Sequence, residues 1–199
     1  MMDIEPVTLE GERVRLEPMR ADHLDALTNA GAFEELWKWT RDFAHTPESM
    51  KKYVDEALHQ AELGDAIPFV TIDRESGRVI GSTRFANIDR ANRHVEIGWT
   101  WITPEFQRTY VNSEAKFLML SHAFEVWGCA RVELKTDVLN TKSRNAMLRM
   151  GATEEGTLRK HVLAYADRWR DTIYYSVLDV EWPAVKGRLE GFVKQKFDV

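Results

Sequence analysis

The sequence has one cysteine in 199 residues, so it can form no internal disulfide and assemble no multi-cysteine zinc site. That scarcity points to a reducing, cytoplasmic setting. No apolar run approaches the roughly 18 residues of a membrane span. The opening stretch, MMDIEPVTLEGERV, carries acids and a proline where a secretory leader needs a basic patch followed by an apolar run. Basic charge is also in short supply: 27 Lys+Arg face 32 Asp+Glu, for a net charge of −5. A general affinity for nucleic acid needs a basic field, so neither nucleic acid nor membrane is an expected partner. Repeats, low-complexity tracts and Pro/Gly/Ser-rich linkers are absent too, and the length suits one domain of roughly 100–200 residues.

What charge there is divides unevenly. Residues 1–70 hold 7 basic and 15 acidic side chains, a balance of −8, while residues 71–199 hold 20 and 17, a balance of +3.

Hydrophobic spacing lays out the elements. Leu9 to Met19 alternates as a strand, and Ala21 to Ala30 reads as a helix. Pro47 opens a second helix with Met50, Tyr53, Val54, Ala57 and Leu58 in one stripe, ending near Gly64. Strands follow at Ile67–Ile72, Val79–Ile88 and Val95–Ile102. In the last of these the odd positions Val95, Ile97, Trp99 and Trp101 predict one core face, leaving Glu96 and Gly98 on an open one. Asn112 or Ser113 is the expected cap of a helix running to Gly128, and Arg131–Leu139 reads as a strand. Asn140 caps a short helix ending at Gly151, and strands near 158–166 and 172–180 precede an amphipathic tail from Trp182.

Two stretches carry chemistry. In VEIGWTWITPEFQRTYVNSEAK, residues 95–116, a strand enters a loop and then a helix, aiming unpaired N–H groups at one spot as an anion site. The second is DVLNTKSRNAMLRMGA, residues 137–152. With the order of elements over Leu9 to Val180, they make the chain resemble the GNAT superfamily of acyl-CoA-dependent N-acetyltransferases. Within it, the chain is similar to the ribosomal-protein N-terminal (Rim-type) branch.

The resemblance implies an α+β (mixed α/β) fold: a strongly twisted mixed sheet of about seven strands flanked by about four helices, over 9–180. Residues 181–199 form an amphipathic tail of the same domain. It implies acetyl-CoA as co-substrate, with pantetheine along the backbone of Trp101 and Ile102 and the pyrophosphate over Gln107, Arg108, Thr109, Tyr110, Val111 and Asn112. The family's loop has glycines where Tyr110 and Asn112 stand here, and side chains of Arg108, Thr109 and Asn112 are the expected substitute donors. Asn140 and Ser143 match the family's second motif. Many relatives place a thiolate-protonating tyrosine at the position of Met147; the Rim-type branch offers Ser143, and a bound water is the alternative acid.

An α-amino group with a pKa near 7.7–8.0 must lose a proton before attack. Glu96 stands where several relatives keep a catalytic glutamate. Its other reading is an acid paired with Arg93, Arg84 or another cation, and His94 is a second candidate base. Trp37, Trp39 and Asp42 are expected either as core or as acceptor contacts, since aromatics with acids suit a cationic amine. Cys129 is a buried thiol or, alternatively, an acetyl-carrying nucleophile. No metal-ligand spacing is present, so no metal is expected.

The expected function is therefore acetyl transfer to a small-molecule amine or the N-terminus of a peptide, by direct attack in a ternary complex, in a monomer or homodimer. The alternative is a non-catalytic acyl-CoA-binding or protein-interaction domain. On the first reading the +3 portion holds an anionic cofactor and the −8 portion borders a cationic acceptor.

Overall fold

The computed structural model describes residue 2, residues 4–164 and residues 167–194. Positions 165 and 166 of the strand expected over 158–166, and 195–199 of the tail, lie outside the described residues. Eight strands form one mixed sheet in the order β1-β2-β3-β4-β5-β6-β8-β7. They are β1 (Leu9–Glu10), β2 (Val14–Pro18), β3 (Ile67–Asp73), β4 (Val79–Asp89), β5 (His94–Ile102), β6 (Arg131–Asp137), β7 (Thr153–Leu163) and β8 (Trp169–Leu178). Helices α1 (Leu24–Gly31) and α2 (Pro47–Glu62) cover one face; α3 (Val111–Ser121), α4 (Thr141–Met150) and α5 (Trp182–Val193) cover the other.

The additional strand arises because Leu9–Met19 is a hairpin. The Gly11 amide donates to the Val14 carbonyl at 2.8 Å and Glu10 pairs with Arg15. Glycine is required at 11: a Cβ there would overlap the carboxylate of Glu114, which accepts the Arg13 amide at 2.9 Å.

Two apolar cores follow from period-two strands with a helix layer on each side. Val14, Leu16, Phe69, Phe85, Ile97, Leu120 and Tyr175 belong to the α3–α5 side, and Leu27, Trp37, Met50, Tyr53 and Trp101 to the α1–α2 side. Each such large side chain contributes about 1.5–3 kcal/mol by leaving water.

The alternation of β5 breaks at a bulge. Gly98 pairs with Arg84 and Trp101 with Ser82, so Trp99 and Thr100 together face Thr83 alone, and Trp99 has φ +50°. The extra residue reverses parity. Val95 and Ile97 point into the α3 side as expected, but Trp101 turns to the α2 side, where its indole N–H donates to Tyr53 Oη at 3.3 Å. The expectation of a single core face therefore fails beyond Gly98.

Between β5 and β6 the sheet forks. The two strands pair in parallel at only three positions, ending with Glu96 opposite Glu133. Beyond them β5 stays with β4 to Ile102, and β6 stays with β8 to Asp137. The inner edges past Glu96 have no strand partner among the described residues, so their backbone groups are open to a ligand that can pair with them.

Helix starts frame the fork. α3 begins at Val111 with Tyr110 at the N-cap, before the expected Asn112 or Ser113, because the Thr109 hydroxyl already accepts the Val111 amide at 3.3 Å. α4 starts as its sequence demands: the Asn140 side chain accepts the Ser143 amide at 3.2 Å, and Gly151 ends the helix at φ +103°. α5 has two glycines that weaken it in isolation, but Val185 and Leu189 are buried and Trp182 stacks on Phe124 at 5.4 Å.

Candidate active site

Glu96 occupies the crotch of the fork. Its residue is 2% exposed, and its Oε2 receives both Lys135 Nζ, at 2.7 Å, and the Asn87 side-chain amide. Both partners take the same oxygen. Oε1 accepts nothing from the described residues, and the missing side chain of Gly98 leaves room beside it, since a Cβ there would sit 2.8 Å away. A buried carboxylate survives as an ion only with such partners. Here they hold one oxygen and leave the other able to accept a proton. The cation beside Glu96 is thus Lys135 rather than Arg93 or Arg84. β6 signals it by period two, because Val132, Leu134 and Thr136 turn inward while Lys135 faces the fork with Glu133 and Asp137.

The other candidate base, His94, sits at the start of β5 with Nε2 3.8 Å from the Asp89 carboxylate. Cys129 is 1% exposed within the α3-side core, and burial pushes its thiol up to about 11, so it stays protonated and unreactive at neutral pH.

On the α3 side of the fork, the QRTYVN loop takes its positive φ at Arg108, +65°, while Tyr110 has ordinary helical φ of −63° and Asn112 lies within α3. Neither position that is glycine in the resembled loop needs glycine for its backbone here. The Tyr110 side chain is committed elsewhere: its hydroxyl donates to Asp73 Oδ1 at 2.7 Å and the Arg13 guanidinium lies 4.0 Å from its ring. Burial, and then its bond to Asp73, push the Tyr110 hydroxyl well above its ordinary value, so it remains a donor. The backbone amides of Asn112 and Ser113 have no acceptor among the described residues. Arg108 is exposed beside them, and Arg149 of α4 reaches Ser113 Oγ at 3.5 Å. These donors fit a diphosphate group, and the acid in the first turn of α3, Glu114, is engaged by the Arg13 amide.

Gln107 ties the loop to the end of β5. Its side-chain amide donates to the Ile102 carbonyl at 3.0 Å, and the Trp101 carbonyl lies against Gly81, where a Cβ would come within 2.2 Å of it. The Ile102 carbonyl is thus held by a protein donor. Lys116, one turn and a half into α3, is buried with its Nζ on Thr100 Oγ1 at 2.8 Å, tying the helix to the β5 bulge. With no carboxylate within 4 Å among the described residues, burial lowers its pKa to about 7.

On the opposite face, Trp37 is 1% exposed and packs inside the second core against Tyr53 and Trp101, its indole N–H on the Gly31 carbonyl at 2.9 Å. Trp39 is half-buried and meets the β8 end of the fork: the Arg168 guanidinium lies 5.5 Å from its ring, and Arg170 donates to its carbonyl at 3.4 Å. Asp42 is half-buried and shares a side-chain hydrogen bond with Trp99; burial pushes its carboxyl up, against the opposing pull of Arg84 and Arg41.

The acids that made residues 1–70 look suited to a cation mostly face outward, as Glu34, Glu35 and Glu48 do. Buried Arg84 and Arg170, with Lys135 and Arg168, supply the interior charge instead, and linear charge balance could not have located them because they come from three separate strands and a turn. A group of three or more metal-ligating side chains is absent among the described residues. No helix among the described residues is long and apolar enough to cross a membrane.

Comparison with known proteins gives this arrangement its family. Residues 13–153 match the Acetyltransferase (GNAT) domain family. The chain is 31% identical over 176 residues to YdaF of Bacillus subtilis (strain 168), named as a candidate ribosomal N-acetyltransferase, over 86% of this chain and 92% of that one. A GCN5-related N-acetyltransferase from Brucella melitensis superposes with TM-score 0.88 at 34% identity, over 96% of this chain and 86% of that chain. Mycobacterium smegmatis RimJ, solved in complex with CoA-disulfide, shares the fold at TM-score 0.80 and 24% identity, over 94% of each chain. On the match over 13–153, with a forked sheet and an anion-ready helix start where the resemblance leads one to seek them, the chain belongs to the GNAT acetyltransferase family.

Proposed function

We propose that this protein is an N-acetyltransferase that moves an acetyl group from acetyl-CoA to a primary amine in a ternary complex. The observation that carries the reading is Glu96: a buried carboxylate at the fork with Oε2 held by Lys135 and Asn87 and Oε1 free beside Gly98. Acetyl-CoA supplies the activated acyl group when bound. The amides of Asn112 and Ser113, aided by Arg108 and the Thr109 loop, would hold its diphosphate, and the open inner edge of β5 would pair with its amide-bearing arm.

Glu96 Oε1 takes a proton from the acceptor's ammonium, directly or through one water, and the freed amine attacks the acyl carbon. Asn140 fixes the start of α4 just past the end of β6, which positions Ser143 to return a proton to the departing sulfur, or to hold the water that does so. Holding both reactants along one fork converts a two-body encounter into an oriented one. The name of YdaF, a candidate ribosomal N-acetyltransferase, supports a ribosomal protein as the source of the acceptor amine.

The test follows thiol release from acetyl-CoA with a panel of N-terminal peptides and small amines. Turnover with at least one acceptor is expected. Acetyl-CoA binding without turnover for any acceptor would replace the enzyme with an acyl-CoA-binding domain.

A further inference from the structure

The sheet face beneath α1 and α2 is short of negative charge. The carboxylates on it are already matched: Glu133 by Arg131 at 3.0 Å and Glu17 by Arg15 at 2.7 Å, and so are the three nearest the fork. Glu96 has Lys135 at 2.7 Å and Asp137 has Arg168 as its direct partner. Asp42 has its bond to Trp99 and the field of Arg84, whose guanidinium is also stacked 4.7 Å from the Trp99 ring. Glu56 reaches Asp42 only from the exposed surface of α2.

Three guanidinium groups on this side have no carboxylate within 4 Å among the described residues: Arg84, which instead donates to Gln60 Oε1 at 3.1 Å and lies against the Tyr53 and Trp99 rings, and Arg170 and Arg41, which lack such support. Arg170 is 8% exposed and donates only to the Trp39 carbonyl, its Nε is buried without a partner, and it has no carboxylate within 4 Å among the described residues. Burial lowers its hold on the proton, Asp137 and Glu96 oppose that from a distance, and Arg168 and Arg41 add to it. Both of those acids belong to nearer cations. Arg41, exposed next to Asp42, is likewise without a carboxylate within 4 Å among the described residues. Arg41 follows by two residues Trp39, whose carbonyl accepts from Arg170 at 3.4 Å, so the two guanidinium groups share one region, and burial followed by Lys135, Arg170 and Arg41 lowers the pKa of His161 there. Desolvated arginine without its counter-ion is a cost that a bound carboxylate removes.

We infer that the acceptor amine carries a carboxylate close to its amino group, seated against Arg170 and Arg41 while Glu96 faces the ammonium. The inference rests on the acetyl-transfer reading above. The carboxylate has two sources, the α-carboxylate of an amino-acid-like acceptor or an acidic side chain just after a peptide N-terminus. Polyamines and aminoglycosides, which bring only positive charge, are disfavoured by the same field.

The experiment measures kcat/KM at saturating acetyl-CoA for N-terminal peptides that differ only as Asp or Asn at the second position, for free glutamate and its amides, and for spermidine. The expected result is a preference of at least about tenfold for a carboxylate-bearing acceptor, as one charge-assisted pair supplies. The peptide arm and the glutamate arm tell which source it comes from. Arg170→Met should abolish the preference through acceptor KM while acetyl-CoA KM stays fixed. Arg41→Glu, at an exposed position where folding is not at risk, should turn the preference toward spermidine. Equal rates for Asp and Asn peptides, or spermidine as the best acceptor, would overturn the inference and leave acetyl transfer standing. Transfer to no acceptor would overturn both.

Discussion

Lys135 Nζ lies 2.7 Å from Glu96 Oε2, bridging strands β5 and β6 just past the last position at which they pair. The ion pair closes the apex of the fork where the ladder stops. It also confines the contact to one carboxylate oxygen. Fold and chemistry meet at this residue pair, and its loss should be felt in both.

Lys135→Met removes the ammonium but keeps the stem, leaving a 2%-exposed carboxylate with Asn87 alone. Stability should fall by about 2–3 kcal/mol in urea unfolding, the penalty of a buried charge deprived of its partner. A change below about 0.5 kcal/mol would show that the pair contributes nothing to the fork.

Gly98→Ala places a methyl group 2.8 Å from the position of Glu96 Oε1. Because Oε2 is anchored, the carboxylate must turn away from the acceptor, and kcat/KM should drop by about tenfold to a hundredfold with little change in melting temperature. Unaltered kcat/KM would mean that Oε1 is not the oxygen that matters.

Arg108 has φ +65°, a conformation that costs a side-chain-bearing residue about 1 kcal/mol and glycine almost nothing. Arg108→Gly should therefore leave the fold as stable or more so, while weakening acetyl-CoA binding by about fivefold to tenfold through loss of the cation. If calorimetry gives an unchanged dissociation constant, the amides of α3 suffice for the phosphates.

Lys116 is held at a pKa of about 7 by burial, against about 10.4 in the unfolded chain. Between those values the unfolded state binds more protons, so this group makes stability rise with pH from about 7 to about 10 and contributes no slope below or above. Lys116→Met should flatten that rise and, at pH 7, stabilise the protein by about 2–4 kcal/mol, offset in part by the lost bond to Thr100. An unchanged pH slope would show the ammonium to be solvated.

Much of this architecture is readable from local chemistry. Asn140 and Gly151 bound α4 where a cap and a left-handed terminator must, and Pro47 opens α2 behind the Thr46 cap. The bulge at Trp99 was not readable, because alternating tryptophans look the same whether or not an extra residue reverses their faces. Nor was the hairpin at Gly11, whose reason lies 103 residues away in Glu114. The site divides the same way. Glu96 stood out as a polar residue on an apolar strand, whereas Lys135, Arg84 and Arg170 acquire meaning only when β4, β6 and β8 bring them to one face. Tertiary placement decides charge at the site, and the chain-wide balance does not.

The most direct test is Glu96→Gln, which keeps the shape and the Asn87 contact region but removes the proton acceptor. With acetyl-CoA affinity measured separately by calorimetry, kcat/KM for the best acceptor should fall by about a hundredfold or more while the acetyl-CoA dissociation constant stays within about twofold. Full turnover by Glu96→Gln would contradict the assignment of Glu96 as the base at the fork.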